Sequence, residues 1–226
     1  MFDLLVFTPV LRLEPETVHS IFSLEWDGPI SFLLQRDNPV RCDDPREQGV
    51  KNHLHQYRRG RKAFLDGNYE GMLVIESDII PPKDTLTRLA ALDVDLAYGC
   101  YTFQVSPVVN VALRYGSPPG NIGMVKPAPY KARNVGESLS TRPGLWDAAI
   151  EQGVVDCSGA GLGCVLIKRR VLQEIDFRIG WPESKAHCDS YFTIDAYKAD
   201  FTMKADTAVF CGHKTVDGNI KYPTYE

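Results

Sequence analysis

Short apolar runs alternate with segments of helical spacing through the first half of the chain. The apolar runs cover residues 2–8, 30–35, 72–75 and 94–103, and the helical patterns between them cover 14–26, 51–66 and 83–92. Such alternation is typical of β-α-β units, in which a crossover helix makes the neighbouring strands run parallel. The sequence therefore predicts an α/β fold with a mostly parallel central sheet.

The second half of the chain has a different pattern. Residues 107–113 alternate like an antiparallel strand, and residues 154–168 are strand-like around a glycine-rich centre. A helix is predicted at 189–198 and a strand at 201–210. Residues 115–145 are rich in Pro and Gly with little periodicity, and a loop of this length is usually functional or mobile.

Length and composition are those of a globular protein with one large domain or two small ones. The chain has 226 residues, of which 44% are hydrophobic and 24% are charged, close to the globular average. We expect one domain over residues 1–226, with a first half at about 1–103, a second half at about 104–214 and a tail at 215–226.

Charge and cysteine usage argue against some classes of protein. The net charge of -4 argues against a broad cationic surface for nucleic acid or anionic lipid. No segment approaches the roughly 20 apolar residues of a membrane span, and the N-terminus does not resemble a signal peptide. The six cysteines are scattered without a CxxC pair. We expect a cytoplasmic protein with reduced thiols and no stable membrane insertion.

An acidic pair follows the apolar run at 72–75. Glu76-Ser77-Asp78 comes where this buried strand is predicted to end, and ligands of open α/β sheets collect outside the carboxyl ends of strands. Residues i and i+2 of a strand point the same way, so Glu76 and Asp78 are candidates for binding one hard cation. The same residues also suit a turn capped by Asp78, and both interpretations are open.

Two further residues extend this hypothesis. His213 follows a predicted strand, and two carboxylates with one imidazole suit Mg²⁺ or Mn²⁺ with positions left for phosphate. Asp189 opens a predicted helix. It is a candidate general base, although an acid at this position also stabilises the helix dipole.

The glycine-rich centre Gly159-Ala160-Gly161-Leu162-Gly163 is not a dinucleotide fingerprint. Cys164 stands at the third glycine position, and an apolar run follows in place of a helix start. The glycines are instead expected to let the backbone approach a ligand closely. His187-Cys188 and Cys211-x-His213 lack the spacing of a zinc site, so zinc is not expected.

Taken together, the motifs resemble those of GT-A-fold glycosyltransferases, particularly the family 2-like group. Residues 74–78 are similar to the strand that carries the D-x-D motif, with Glu in the first acidic position. Residues 155–161 resemble the glycine-containing acceptor-side strand, 188–192 the E-D-x-x-F segment, and 209–213 the strand with the metal-binding His. The order and spacing agree over roughly residues 1–214.

The resemblance implies roles for these residues. Asp78 would bind Mn²⁺ or Mg²⁺ directly, His213 would complete the protein ligands, and Glu76 would act through water or on the ribose. Asp189 would take the proton of the acceptor hydroxyl, which implies inversion. Contacts to the donor nucleotide are expected at Thr8, Pro9, Arg36, Asp37, Glu76, Ser77, Asp78 and Lys214, and acceptor-side contacts at Gly159, Ala160, Gly161 and Trp181.

The chain departs from the family pattern at two places. Cys188 replaces the usual first acid of the E-D pair, and Arg36-Asp37-Asn38-Pro39 replaces the usual D-D-x-S. The tail at 215–226 is expected to fold over the diphosphate. Arg58 and Arg61 are further candidates for supporting phosphates, with a solvated helix face as the alternative.

The implied function is a metal-dependent, inverting glycosyltransferase of the hexosyltransferase type. A UDP-sugar is the favoured donor and a GDP-sugar the next, and the acceptor is a glycan, a protein, a lipid carrier or a modified nucleobase. A nucleotidyltransferase acting on sugar phosphates is an alternative, but residues 8–12 contain no glycine-rich basic loop. An inactive nucleotide-sugar-binding module is another, against which the intact Asp78, Asp189 and His213 argue.

Overall fold

The structure is a computed structural model that describes residues 3–102, 109–114, 136–138, 145–184 and 186–223. The strands are β1 (Leu4–Pro9), β2 (Ile30–Gln35), β3 (Gly71–Ile75), β4 (Ile79–Ile80), β5 (Leu96–Cys100), β6 (Val111–Arg114), β7 (Gly136–Ser138), β8 (Val154–Ala160), β9 (Cys164–Lys168), β10 (Met203–Phe210), β11 (Gly212–Lys214) and β12 (Ile220–Lys221). The helices are α1 (Pro15–Phe22), α2 (Pro45–Asp66), α3 (Thr85–Ala91), α4 (Leu145–Gln152), α5 (Arg169–Glu174) and α6 (Cys188–Lys198).

The described strands form one large mixed sheet and one small sheet. The large sheet has the order β2-β1-β3-β9-β5-β10-β8-β6-β7, and β12-β11-β4 form the small one. β1 is parallel to β2 and β3, and β5 is parallel to β10, while β9 lies antiparallel between β3 and β5. Strands β1, β2, β3, β5, β6 and β10 thus run in one direction, and β7, β8 and β9 run in the other. The predicted α/β class with a mostly parallel sheet is confirmed.

The apolar run at 72–75 is a strand whose two faces are both covered. Met72 and Val74 pack into a core that also contains Tyr57 of α2. Leu73 and Ile75 pack into a second core on the other face of the sheet, which the side chains of α1 and α3 help to form. Because successive side chains of a strand point to opposite faces, this strand needs apolar residues at every position.

Helix α2 begins at Pro45, six residues before its predicted start. The carboxylate of Asp44 accepts a hydrogen bond from the backbone N–H of Arg46 at 2.8 Å, and Pro45 occupies the first turn. The first turns are too polar to show apolar periodicity, which is why the sequence pattern missed them. Farther along, Arg58 donates to the carbonyl of Phe177 at 2.9 Å and Arg61 to that of Leu172 at 2.8 Å. Both guanidinium groups therefore bind the backbone near α5.

The predicted strand at 154–168 is two strands, because a turn at 161–163 separates β8 from β9. The long loop predicted at 115–145 lies outside the described residues except for β7 and the first residue of α4. The six cysteines form no disulfide in the structure, and five of them are buried. None of the described helices combines the length and apolar character that crossing a membrane requires.

Candidate active site at the carboxyl ends of the parallel strands

The carboxyl ends of β1, β3, β5 and β10 lie at one edge of the large sheet, since these strands run in the same direction. Glu76-Ser77-Asp78 leaves β3 at this edge in a turn, in which the N–H of Ile79 donates to the carbonyl of Glu76 at 3.0 Å. Because the strand has already ended, the two acidic side chains do not follow the strand rule that would bring them together. They contact different parts of the protein.

Asp78 meets His213. The short strands β4 and β11 pair antiparallel with His213 opposite Ile79, which brings the imidazole beside the acidic turn. Nε2 of His213 lies 3.4 Å from Oδ2 of Asp78, and Nδ1 lies 2.6 Å from the carbonyl oxygen of Thr102. Burial lowers the pKa of His213, but the hydrogen bonds to Asp78 and Thr102 outweigh it, and the pKa is raised.

The geometry of this pair suits a divalent cation. A carbonyl oxygen only accepts hydrogen bonds, so Nδ1 of His213 carries a proton, and Nε2 of the neutral ring turns a lone pair towards the carboxylate of Asp78. Two acceptors at this separation attract each other only through a proton or a cation between them. The Thr102 carbonyl fixes the orientation of the ring through Nδ1. Histidines that bind a metal through one ring nitrogen commonly donate from the other nitrogen to such a carbonyl.

The described residues supply few ligands for such an ion. Within the described parts of the chain, no group of three or more His, Cys, Asp and Glu side chains is placed to hold a metal. Asp78 and His213 alone fall short of such a group, so a Mg²⁺ or Mn²⁺ ion held by them would need water and phosphate oxygens as its other ligands.

Glu76 lies instead against α2. Its Oε1 accepts a hydrogen bond from the hydroxyl of Tyr57 at 3.0 Å and lies 3.2 Å from Nε2 of His53. On the other side of the imidazole, Nδ1 lies 3.5 Å from Sγ of Cys188, the first residue of α6. Burial raises the pKa of Glu76, but the hydrogen bonds from His53 and Tyr57 outweigh it, and the pKa is lowered.

A cavity of about 540 Å³ joins Glu76 to Asp189. It lies between α2 and the loops after β1 and β2, and its walls include Asn38, His53, Gln56, Glu76, His187 and Asp189. Asp189 lies in the first turn of α6, where its carboxylate accepts a hydrogen bond from the N–H of Ser190 at 2.7 Å. The cavity is thus lined both by Glu76, which is predicted to contact the sugar-nucleotide donor, and by Asp189, the predicted general base.

The residues after β1 and β2 that were predicted to contact the nucleotide do not line this cavity. Thr8 and Pro9 end β1 and are buried, whereas Arg36 and Asp37 follow β2 and are exposed. Oδ2 of Asp37 lies 3.4 Å from Nε2 of His55, which does not line this cavity either. The proposed nucleotide contacts of these four residues stay predictions.

The next residue after this pair, Asn38, reaches the cavity. Its Oδ1 accepts from Nε2 of Gln56 at 2.9 Å, and the same amide donates to the carbonyl of Val10 at 2.9 Å. Farther along the loop, Asn52 of α2 accepts from the N–H of Val40 at 2.9 Å and donates to its carbonyl at 3.1 Å. Side-chain amides of α2 therefore hold both loops at the rim of the cavity in place.

The acceptor-side glycines are in close contact with protein side chains. A Cβ on Gly159, where φ is +149°, would lie 1.8 Å from Thr193, and a Cβ on Gly161 would lie 2.2 Å from the hydroxyl of Tyr101. The carbonyl of Ala160 accepts from the Thr193 hydroxyl at 3.0 Å. These glycines are therefore explained by packing within the fold, and their acceptor contacts stay a prediction.

Three other predicted site residues have clear positions. Ser77 is buried, and its carbonyl accepts from the N–H of Glu14 at 3.4 Å. Lys214 donates its backbone N–H to the carbonyl of Asp78 at 2.7 Å, while its ammonium group pairs with Glu16. Trp181 is half-buried in the turn that precedes α6.

Sequence reasoning missed His53 and Tyr57. They lie one helical turn apart on α2, so both reach Glu76 from the same face of the helix. The (i, i+4) spacing of two hydrogen-bonding aromatic rings was the available signal. It is weak, because the carboxylate that they share lies at least 19 residues away in sequence.

Comparisons with known proteins identify the fold. No protein-family profile and no curated protein sequence matches this chain. Among solved structures, A197 from STIV aligns over 98% of this chain and 94% of its own, with a TM-score of 0.50 and 14% identity. TarS from S. aureus aligns over 91% of this chain but 35% of its own, with a TM-score of 0.50 and 15% identity. At these identities the likeness shows the fold alone, an α/β fold of the GT-A type.

Proposed function

We propose that this chain is a metal-dependent, inverting glycosyltransferase that uses a nucleoside-diphosphate sugar, with UDP-sugars favoured and GDP-sugars next. One observation carries the proposal. At the ligand-binding edge of a GT-A-type sheet, Asp78 turns its carboxylate to a buried histidine whose other nitrogen is held by a carbonyl. TarS, which shares this fold, has been crystallised with UDP and with UDP-GlcNAc.

Each residue then has a defined task. Asp78 and His213 would hold Mn²⁺ or Mg²⁺, which supplies charge stabilisation for the departing nucleoside diphosphate. Glu76 contributes its carboxylate to the wall of the cavity, where it is available to the nucleoside part of the donor or to a water. Asp189, which also lines that cavity, accepts the proton of the acceptor hydroxyl as the hydroxyl attacks the anomeric carbon.

The test is a panel of UDP-, GDP-, CMP- and dTDP-sugars, titrated with and without Mn²⁺. We expect one nucleotide class to bind only with the metal and to be hydrolysed slowly to the free sugar and the nucleoside diphosphate. Release of pyrophosphate from a nucleoside triphosphate and a sugar phosphate would identify a nucleotidyltransferase instead. If no donor binds or reacts in the presence of Mn²⁺, the proposal is wrong.

A further inference from the structure

Two positions at which this chain differs from the family motifs contact the same side chain. Glu76 stands where the family has the first Asp of D-x-D, and Cys188 stands where it has the first acid of E-D. His53 lies between them, with Nε2 at 3.2 Å from the Glu76 carboxylate and Nδ1 at 3.5 Å from the Cys188 thiol. The two substitutions are therefore connected through α2, although 112 residues separate them in sequence.

The contacts set the direction of the hydrogen bonds. The carboxylate of Glu76 only accepts, so Nε2 of His53 carries the proton that joins them. Burial raises the pKa of Cys188, which keeps its side chain a thiol that is able to hydrogen-bond with Nδ1. A carboxylate at position 188, as in the family pattern, would place a second negative charge against the same ring.

The surroundings hold the imidazole in place. The ring of His53 packs edge-on against Tyr57 at a centroid distance of 4.7 Å and against His187 at 5.2 Å. Tyr57 is fully buried and donates its hydroxyl to the same Oε1 of Glu76 that faces His53. Both contacts use Oε1 of Glu76, and the Glu76 side chain also lines the cavity, together with His53.

We infer that His53 is a positioning residue, which orients the Glu76 carboxylate for the donor and links it through Cys188 to the start of α6. This inference rests on the proposed function. Asp189 is the next residue of α6, so one imidazole connects the donor side of the cavity with the predicted general base. His53 acts on the donor through Glu76.

The first experiment needs no ligand. Ring ¹⁵N chemical shifts of His53, assigned with a His53→Gln variant, report which nitrogen is protonated. We expect a protonated Nε2 in the wild-type protein. A neutral ring protonated at Nδ1 alone would reverse the hydrogen bond to Glu76 and overturn the inference.

The second experiment measures UDP and UDP-sugar binding with Mn²⁺ in a matched series. We expect His53→Ala to weaken binding about 10- to 100-fold, which is typical when a residue that orients a ligand-contacting group is removed. The same variant should raise KM more than it lowers kcat. Cys188→Ala should weaken binding about 2- to 10-fold, the loss of one hydrogen bond. Cys188→Ser retains a hydroxyl that hydrogen-bonds to Nδ1, and it should restore most of the affinity.

The controls separate the two proposals. His19→Ala removes an exposed imidazole of α1 and should bind as the wild type does, and thermal unfolding identifies any variant that fails to fold. If folded His53→Ala binds the donor with wild-type affinity, or if Cys188→Ser is as impaired as Cys188→Ala, the inference is wrong. If the wild-type protein binds no nucleotide, the proposed function fails, and the ring ¹⁵N shifts still decide whether His53 orients Glu76.

Discussion

Asp78→Asn should abolish the joint binding of metal and nucleoside diphosphate without harming the fold. The two side chains have nearly the same shape, and the backbone carbonyl that accepts from Lys214 is unchanged. Without metal, the raised pKa of His213 favours a ring that donates from Nε2 to the Asp78 carboxylate, and the neutral amide of the variant weakens this pairing. We therefore expect the unliganded variant to stay folded, with a free energy of unfolding lower than that of the wild type by about 1 kcal/mol or less.

The size of the effect follows from the number of ligands. Asp78 and His213 supply two of the roughly six positions that Mn²⁺ prefers, so the metal alone should bind weakly and the diphosphate should complete the site. When the ligands are present at about 100 times their Kd, binding stabilises the protein by about 2.7 kcal/mol. For a chain of this length, that corresponds to a rise in Tm of roughly 5–11 °C.

The assay is thermal unfolding in four conditions: no ligand, Mn²⁺, UDP, and both together. In the wild type, the shift with both should exceed the sum of the two single shifts, and in Asp78→Asn this excess should vanish. Asp93→Asn removes an exposed carboxylate that pairs with Lys168 far from the site, and it should behave as the wild type does. An undiminished excess in Asp78→Asn would refute the metal assignment.

Three further predictions concern the general base, a buried ion pair and the packing of α2, the last with a matched pair of substitutions. Asp189→Asn should lower kcat about 10²- to 10⁴-fold while calorimetric titration shows unchanged donor binding; equal loss of binding would contradict its assignment as the base. Asp95→Asn removes a buried carboxylate that accepts two hydrogen bonds from Arg170 at 2.5 Å, and should lower the free energy of unfolding by about 1.5–3 kcal/mol in urea denaturation. Burial raises the pKa of Asp95, but the hydrogen bonds from Arg170 and Thr202 outweigh it, and the pKa is lowered. The difference in the free energy of unfolding between wild type and variant should therefore be full above pH 3.8 and shrink as the pH falls through the lowered pKa. A difference that does not depend on pH would contradict this. Gly60→Ala places a Cβ 2.6 Å from the ring of Phe7 and should destabilise α2 by about 1–3 kcal/mol, whereas Gly49→Ala on the same helix meets nothing within 4 Å and should be neutral or stabilising in the same denaturation assay. Equal effects of the two alanines would contradict the packing argument.

Local patterns predicted much of the scaffold. The apolar run at 72–75 forms a strand with both faces buried, because a strand covered on both sides requires apolar residues without interruption. The alternation of strands and helices likewise indicated the α/β class. Element boundaries were less accurate where caps, rather than periodicity, set them, as at Asp44 and Pro45 of α2.

The site itself was only partly predictable. Position at strand ends and motif order suggested Asp78, His213 and Asp189, and the fold brings the first two into contact. The expected convergence of Glu76 and Asp78 on one cation was not observed as a cluster in the described residues, because the chain turns directly after β3. A strand rule cannot describe side chains beyond the end of the strand.

By itself, the sequence determined where the buried strands lie and which acidic and imidazole groups stand at their ends, since these depend on periodicity within a few residues. The tertiary structure decided which of these groups meet. Pairing of β4 with β11 brings His213 to Asp78, and packing of α2 on the sheet brings His53 between Glu76 and Cys188. Such contacts join residues far apart in the chain, so they depend on strand register and helix packing, which no local pattern contains.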